Sequence, residues 1–182
     1  RRYRSDPGVH QRIIDLTMRY GGDKERPRIE RTYRTLMRLE PREEGHIISL
    51  GEYWWSTGDR VKAQRTWRRL RGLNTKTGTG HLSHAEVLHD HSLITEARDA
   101  YDAAIAAKPN DPRILRAFAR FLEQQKEPIG ALAAWRRVLD TEAQGAKSVE
   151  ARRRVVQLWQ RAGTLSKKER DMKRRFEAEP PD

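Results

Sequence analysis

The 182-residue chain has no cysteine, which excludes a disulfide framework, a thiolate zinc site and a thiol nucleophile, and leaves the redox compartment open. It has no apolar run approaching the roughly 18 residues of a membrane-spanning helix. A phosphate-binding loop is missing too. Thr77-Gly78-Thr79-Gly80 is glycine-rich but lacks the G-x-x-x-x-G-K-[ST] pattern, so it reads as a loop between helical units rather than a backbone anion nest. Hydrophobic residues make up only 36% and charged residues 35%, a balance that leaves material for a thin core and not a thick one. The chain opens on Arg1 with no signal-peptide pattern, from which we expect a segment trimmed from a longer protein.

Charge is what the chain has in excess. The formal net charge is +12, and 29 of its 38 basic residues are arginine. Such a balance favours anionic partners, either nucleic acid, acidic protein or an anionic membrane surface. No block of five or six like charges occurs, the longest basic runs being Arg152-Arg153-Arg154 and Lys173-Arg174-Arg175. The charge is therefore spread along helix faces.

A 34-residue repeat carries the architecture. Ala85, Ala97, Tyr101 and Ala104 in one unit stand opposite Ala119, Ala131, Trp135 and Val138 in the next, and Gly51, Ala63, Trp67 and Leu70 in the one before. Another step back gives Thr17, Ile29, Tyr33 and Leu36. Each unit divides into two amphipathic helices around a turn such as Thr57-Gly58-Asp59; Ile47, Leu50, Gly51 and Trp54 form one face of the first. A small residue on the first helix admits a large aromatic from the second. One such hairpin leaves apolar surface open, so neighbours must stack on it.

This pattern resembles the tetratricopeptide repeat family over roughly residues 10–180, with Leu50-Gly51 matching its Leu-Gly pair and Ala97, Tyr101, Ala104 and Pro109 its second-helix signature. The resemblance implies an all-α fold, a right-handed α-solenoid of stacked antiparallel helix pairs. The units expected are 10–43, 44–77, 78–111, 112–145 and 149–182, the last closing on a capping helix with Lys168, Met172 and Phe176, and residues 1–9 forming a frayed end or the remnant of a preceding unit. In the fifth unit Val155, Val156 and Trp159 are assigned to the packing face. Departures are Thr17 and Ile29 at places the family keeps small, and Thr75 and Ala143 where it closes with proline.

The resemblance further implies a groove lined by the first helices, which in the family holds a peptide or helix of a partner. The matching positions are Ile48, Glu52 and Trp55, then Leu82, Glu86 and His89, then Arg113, Arg116 and Arg120, then Arg153 and Gln157. Arg113, Arg116 and Arg120 recur at i, i+3 and i+7 and form a stripe that Arg153 continues. Such a stripe suits a carboxylate or phosphate ligand through bidentate bonds, or is a solvated face balanced by Glu from adjacent units. Trp54, Trp67, Trp135 and Trp159 read as core, whereas Trp55 reads either as a groove anchor or as packing on the next unit.

His81, His84, His89 and His91 crowd together, but a metal site would need ligands from elsewhere. The Ser83-x-x-Glu86 capping box would start a helix at His84, whereas pairing His81 with His84 needs an earlier start. Both stay open. No nucleophile–base–orienter set is visible, so neither catalytic residue, metal nor cofactor is expected. The sequence thus points to a non-enzymatic scaffold that binds an acidic or amphipathic peptide segment of another protein. The alternatives are RNA binding through basic ridges at Arg68-Arg69 and Arg136-Arg137 on second helices, or a structural spacer or self-association module.

Overall fold

The computed structural model describes residues 6–142 and 148–162, with residues 167 and 171 besides. Residues 1–5 and the expected capping helix of the fifth unit fall outside that range, apart from those two residues. Among the described residues all regular structure is helical: α1 (Pro7–Tyr20), α2 (Arg26–Leu39), α3 (Glu44–Ser56), α4 (Arg60–Trp67), α5 (Thr79–Asp90), α6 (Ile94–Ala107), α7 (Pro112–Gln124), α8 (Pro128–Thr141) and α9 (Val149–Arg161). The chain is an all-α solenoid built from antiparallel helix pairs, α1 packing on α2, α3 on α4, α5 on α6 and α7 on α8. Two compact units divide it, one of residues 1–107 and the other of residues 108–182.

Local chemistry explains where helices begin. The Asp6 and Asp111 carboxylates accept from the Gly8 and Arg113 amides, and a proline follows each in the first helical turn. Capping plus a preset φ starts a helix there. In consequence α1 begins at Pro7, ahead of residue 10 where the array was expected to open.

The turns inside the pairs repeat with the sequence period. Gly58, Ser92 and Lys126, spaced by 34, all have positive φ (86°, 57° and 60°). Each is followed by the same wide bond, from Asp59 to the Trp54 carbonyl, Leu93 to Leu88 and Glu127 to Leu122. This is a left-handed cap that satisfies the end of the first helix and reverses the chain. A serine and a lysine carry that geometry as well as a glycine does, so composition alone does not reveal it.

The core follows the register. Ala63, Ala85, Ala97, Ala119 and Ala131 are fully buried, as are Trp67 and Trp135, with Tyr33 and Tyr101 nearly so. On α9 the buried residues are Ala151, Val155 and Leu158, at i, i+4 and i+7. Val156 and Trp159, assigned to the packing face from sequence, are 39% exposed and half-buried respectively. Trp159 nonetheless meets α8, where the Arg136 guanidinium lies 5.7 Å from its ring centroid, while Val156, three residues earlier, faces outward. A second correction concerns Arg68-Arg69. Helix α4 ends at Trp67, and Arg68–Gly72 form a tighter 3₁₀ turn, closed by the Leu73 amide on the Leu70 carbonyl, that keeps Leu70 buried as the chain leaves for α5. Arg136-Arg137 remain inside α8.

Candidate functional site

The expected groove residues occupy first helices, in two sets that we describe unit by unit. In residues 1–107, Glu52 and Trp55 lie on α3 and Glu86 and His89 on α5. Trp55 is half-buried in an aromatic cluster: its ring centroid lies 4.4 Å from that of His91 and 5.6 Å from that of Trp67, and His91 stacks on Trp67 at 4.6 Å. The Arg60 guanidinium sits 3.5 Å over the Trp55 ring, a close cation–π arrangement. Glu52 Oε1 lies 2.8 Å from His91 Nε2 and holds the imidazole in that stack. Of the two roles open to Trp55, the packing one is thus realised, through His91 at the end of α5, with the side chain half-buried. Glu86 is exposed and His89 half-buried.

In residues 108–182 the stripe is present but paired. Arg113 forms a fork with Asp111, the cap of its own helix, with Nη2 2.6 Å from Oδ2. That guanidinium, helped by backbone amides, holds the Asp111 carboxyl below the usual carboxylate range. Arg116 grips Glu142 with both nitrogens, its side chain only 19% exposed. Arg120 binds Glu150 on α9 at 2.7 Å, and Arg154 reaches Glu123 at 3.3 Å. Arg153 is exposed and has no carboxylate partner among the described residues, and Gln157 is half-buried. Five guanidinia face four carboxylates, which leaves the stripe close to neutral. The acids that balance it, Glu142 and Glu150, stand 26 and 30 residues beyond their partners. No helical spacing links them, although adjacent-unit Glu was one of the two readings of the stripe.

The histidine cluster resolves differently. Helix α5 begins at Thr79, so His81 and His84 are both helical and the Ser83 capping box does not form. Ser83 and Thr79 hydroxyls and the Asn74 amide all donate to the Glu44 carboxylate, which fills the anion position over the first turn of α5. Among the described residues no three His, Asp or Glu side chains gather as a metal site. His84 instead lines a cleft of about 280 Å³ with Gln64, Arg68, Arg71, Glu96 and Asp99, and its Nδ1 has no hydrogen-bond partner among the described residues.

No protein-family model matches the sequence, and no curated protein matches it either. Solved structures do. A MamA protein superposes with a TM-score of 0.55 over 94% of this chain and 90% of its own, at 15% identity. MamA from Desulfovibrio magneticus RS-1 gives 0.53 over 94% and 93%, also at 15%. A tetratricopeptide repeat protein from Parabacteroides merdae gives 0.52 over 95% of this chain and 68% of its own, at 14% identity. This is the tetratricopeptide fold. At such low identity the likeness lies in the helix pairs and their 34-residue rhythm, and residue roles rest on this chain's own geometry.

Within the tetratricopeptide pairs, His84 makes stability depend on pH. Burial, reinforced by the Arg71, Arg68 and His81 charges, pushes its pKa down to about 4. An unfolded imidazole takes its proton near pH 6.5, so between those values the unfolded chain holds the extra proton and the native state loses stability as pH falls. From pH 7 to pH 5 the expected loss is about 2 kcal/mol. Urea unfolding of the wild type and His84→Gln at both values checks it, since the variant must show a smaller difference; equal slopes would leave the shift without thermodynamic effect.

Proposed function

We propose that the protein is a non-enzymatic scaffold that holds an acidic or amphipathic peptide segment of a partner protein on the faces of its first helices. The observation that carries this reading is the graded exposure of the stripe. Arg113 and Arg120 are 55% and 54% exposed although each has a carboxylate partner, and Arg153 has none among the described residues. Exposed pairs of this kind contribute little to stability, so a peptide carboxylate can exchange with Glu150 at small cost. Arg116, bound and largely buried, belongs to the architecture. Within residues 1–107, half-buried Trp55 supplies a separate, preorganised aromatic surface of the type enriched in binding hot spots. No helix among the described residues is long and apolar enough to cross a membrane.

The test is a selection from a displayed random-peptide library, followed by titration of the selected peptides. Peptides rich in Asp and Glu are expected, binding about tenfold more weakly to the Arg120→Glu/Arg153→Glu variant. Selection of basic peptides, or equal binding by the charge-reversed variant, would remove the proposal.

A further inference from the structure

The stripe on α7 is nearly neutral, whereas another face, in residues 1–107, is not. Helix α2 carries Arg31, Arg34 and Arg38 at i, i+3 and i+7, and Lys62, Arg65 and Arg69 repeat that spacing along α4 and the turn that follows it. All six side chains are exposed. Two adjacent clefts, of about 500 and 350 Å³, are lined by these residues, and Arg34 and Arg69 line both. The second helices of the first two pairs thus present one continuous cationic surface.

Among the described residues, only two carboxylates temper it. Glu30 meets Arg34 at 2.5 Å and Asp59 meets Lys62 at 3.2 Å. Arg31 donates to the Pro27 carbonyl and Arg38 to the Thr35 hydroxyl, both neutral acceptors. Among the described residues, Arg65 and Arg69 have no acidic partner. Of the apolar side chains that line the clefts, Leu50 and Trp54 are 3% and 4% exposed, and Met37, in the larger cleft, is half-buried. A protein partner would need a desolvated aromatic or aliphatic anchor, and a membrane an apolar residue to insert; these clefts offer a single half-buried methionine ringed by guanidinium groups. Repeated guanidinium forks at one-turn and two-turn intervals match repeated phosphates, which need charge and not apolar burial.

We propose that the α2–α4 face binds the phosphodiester backbone of a nucleic acid, without reading its sequence. The inference stands apart from the peptide face, because it uses other helices and other residues. Binding of a fluorescein-labelled uridine 20-mer, followed by anisotropy across a salt series, tests it. Affinity should fall with salt, with a log–log slope of about −0.7 per phosphate contacted. The Arg38→Glu/Arg65→Glu/Arg69→Glu variant should bind at least about tenfold more weakly and lose about 2 from that slope. Its circular dichroism should be unchanged, because none of the three is buried or paired with a carboxylate. Arg136→Glu/Arg137→Glu, which alters the other basic ridge, should bind like the wild type. Failure to bind at 50 mM salt, undiminished binding by the triple variant, or equal capture by polyglutamate or phosphatidylserine vesicles would each overturn the proposal.

Discussion

Trp135→Ala should destabilise the protein by about 4 kcal/mol, the range expected when a fully buried tryptophan is deleted. Trp135 lies on α8, which packs on α7, and is fully buried, as are Ala119 on α7 and Ala131 one turn earlier on its own helix. Its Nε1 donates to Glu123 Oε1 at 2.6 Å, and Oε2 of the same carboxylate accepts from Arg154 on α9. Alanine leaves a cavity and also strips Glu123, which is only 14% exposed, of one of its two donors. Trp135→Phe separates the two effects, since it keeps most of the volume and loses only the hydrogen bond, for about 1–2 kcal/mol. Urea unfolding monitored by far-UV circular dichroism measures both. An alanine variant within about 1 kcal/mol of wild type would show that the ring does not fill the space between its helices.

Gly51→Ala, the addition of one methyl group, should cost about 3 kcal/mol, at the upper end for overpacking. A Cβ on Gly51 would lie 1.9 Å from Trp67 Nε1 and 2.3 Å from Cδ1. The ring has nowhere to go. Its Nε1 donates to the Ile48 carbonyl at 3.2 Å, and His91 stacks on its face at 4.6 Å. Alanine is the better helix former by about 1 kcal/mol, so the sign of the measured change decides whether the clash or the propensity wins. A stabilised variant would mean that Trp67 can retreat. The following units carry Ala85 and Ala119 at the same place, both fully buried. Trp135 tolerates alanine there because its N–H reaches the Glu123 side chain, whereas the Trp67 N–H reaches backbone on the first helix and draws the ring against it.

The helix pairs and their period were legible because they rest on short-range chemistry. Apolar spacing of three and four residues and a small residue opposite a large one each act within one hairpin. The groove arginines were legible as a stripe for the same reason. What escaped was which acids pair with them, along with the α2–α4 basic face as a whole and the Glu44 carboxylate over α5. Glu142 and Glu150 come to Arg116 and Arg120 only when α8 and α9 have packed, and Thr79 and Ser83 reach Glu44 across 35 and 39 residues. Arg34 and Arg69 meet two common clefts although each looks like an ordinary surface arginine on its own helix.

The amino-acid order by itself determined that this chain forms tetratricopeptide helix pairs, since a hydrophobic repeat at 34 residues can be buried only by stacking hairpins. Which charges cancel and which remain open was decided by tertiary structure. Electrostatic partnership depends on distance in space, and side chains 26 to 39 residues apart acquire a distance only after the helices have packed.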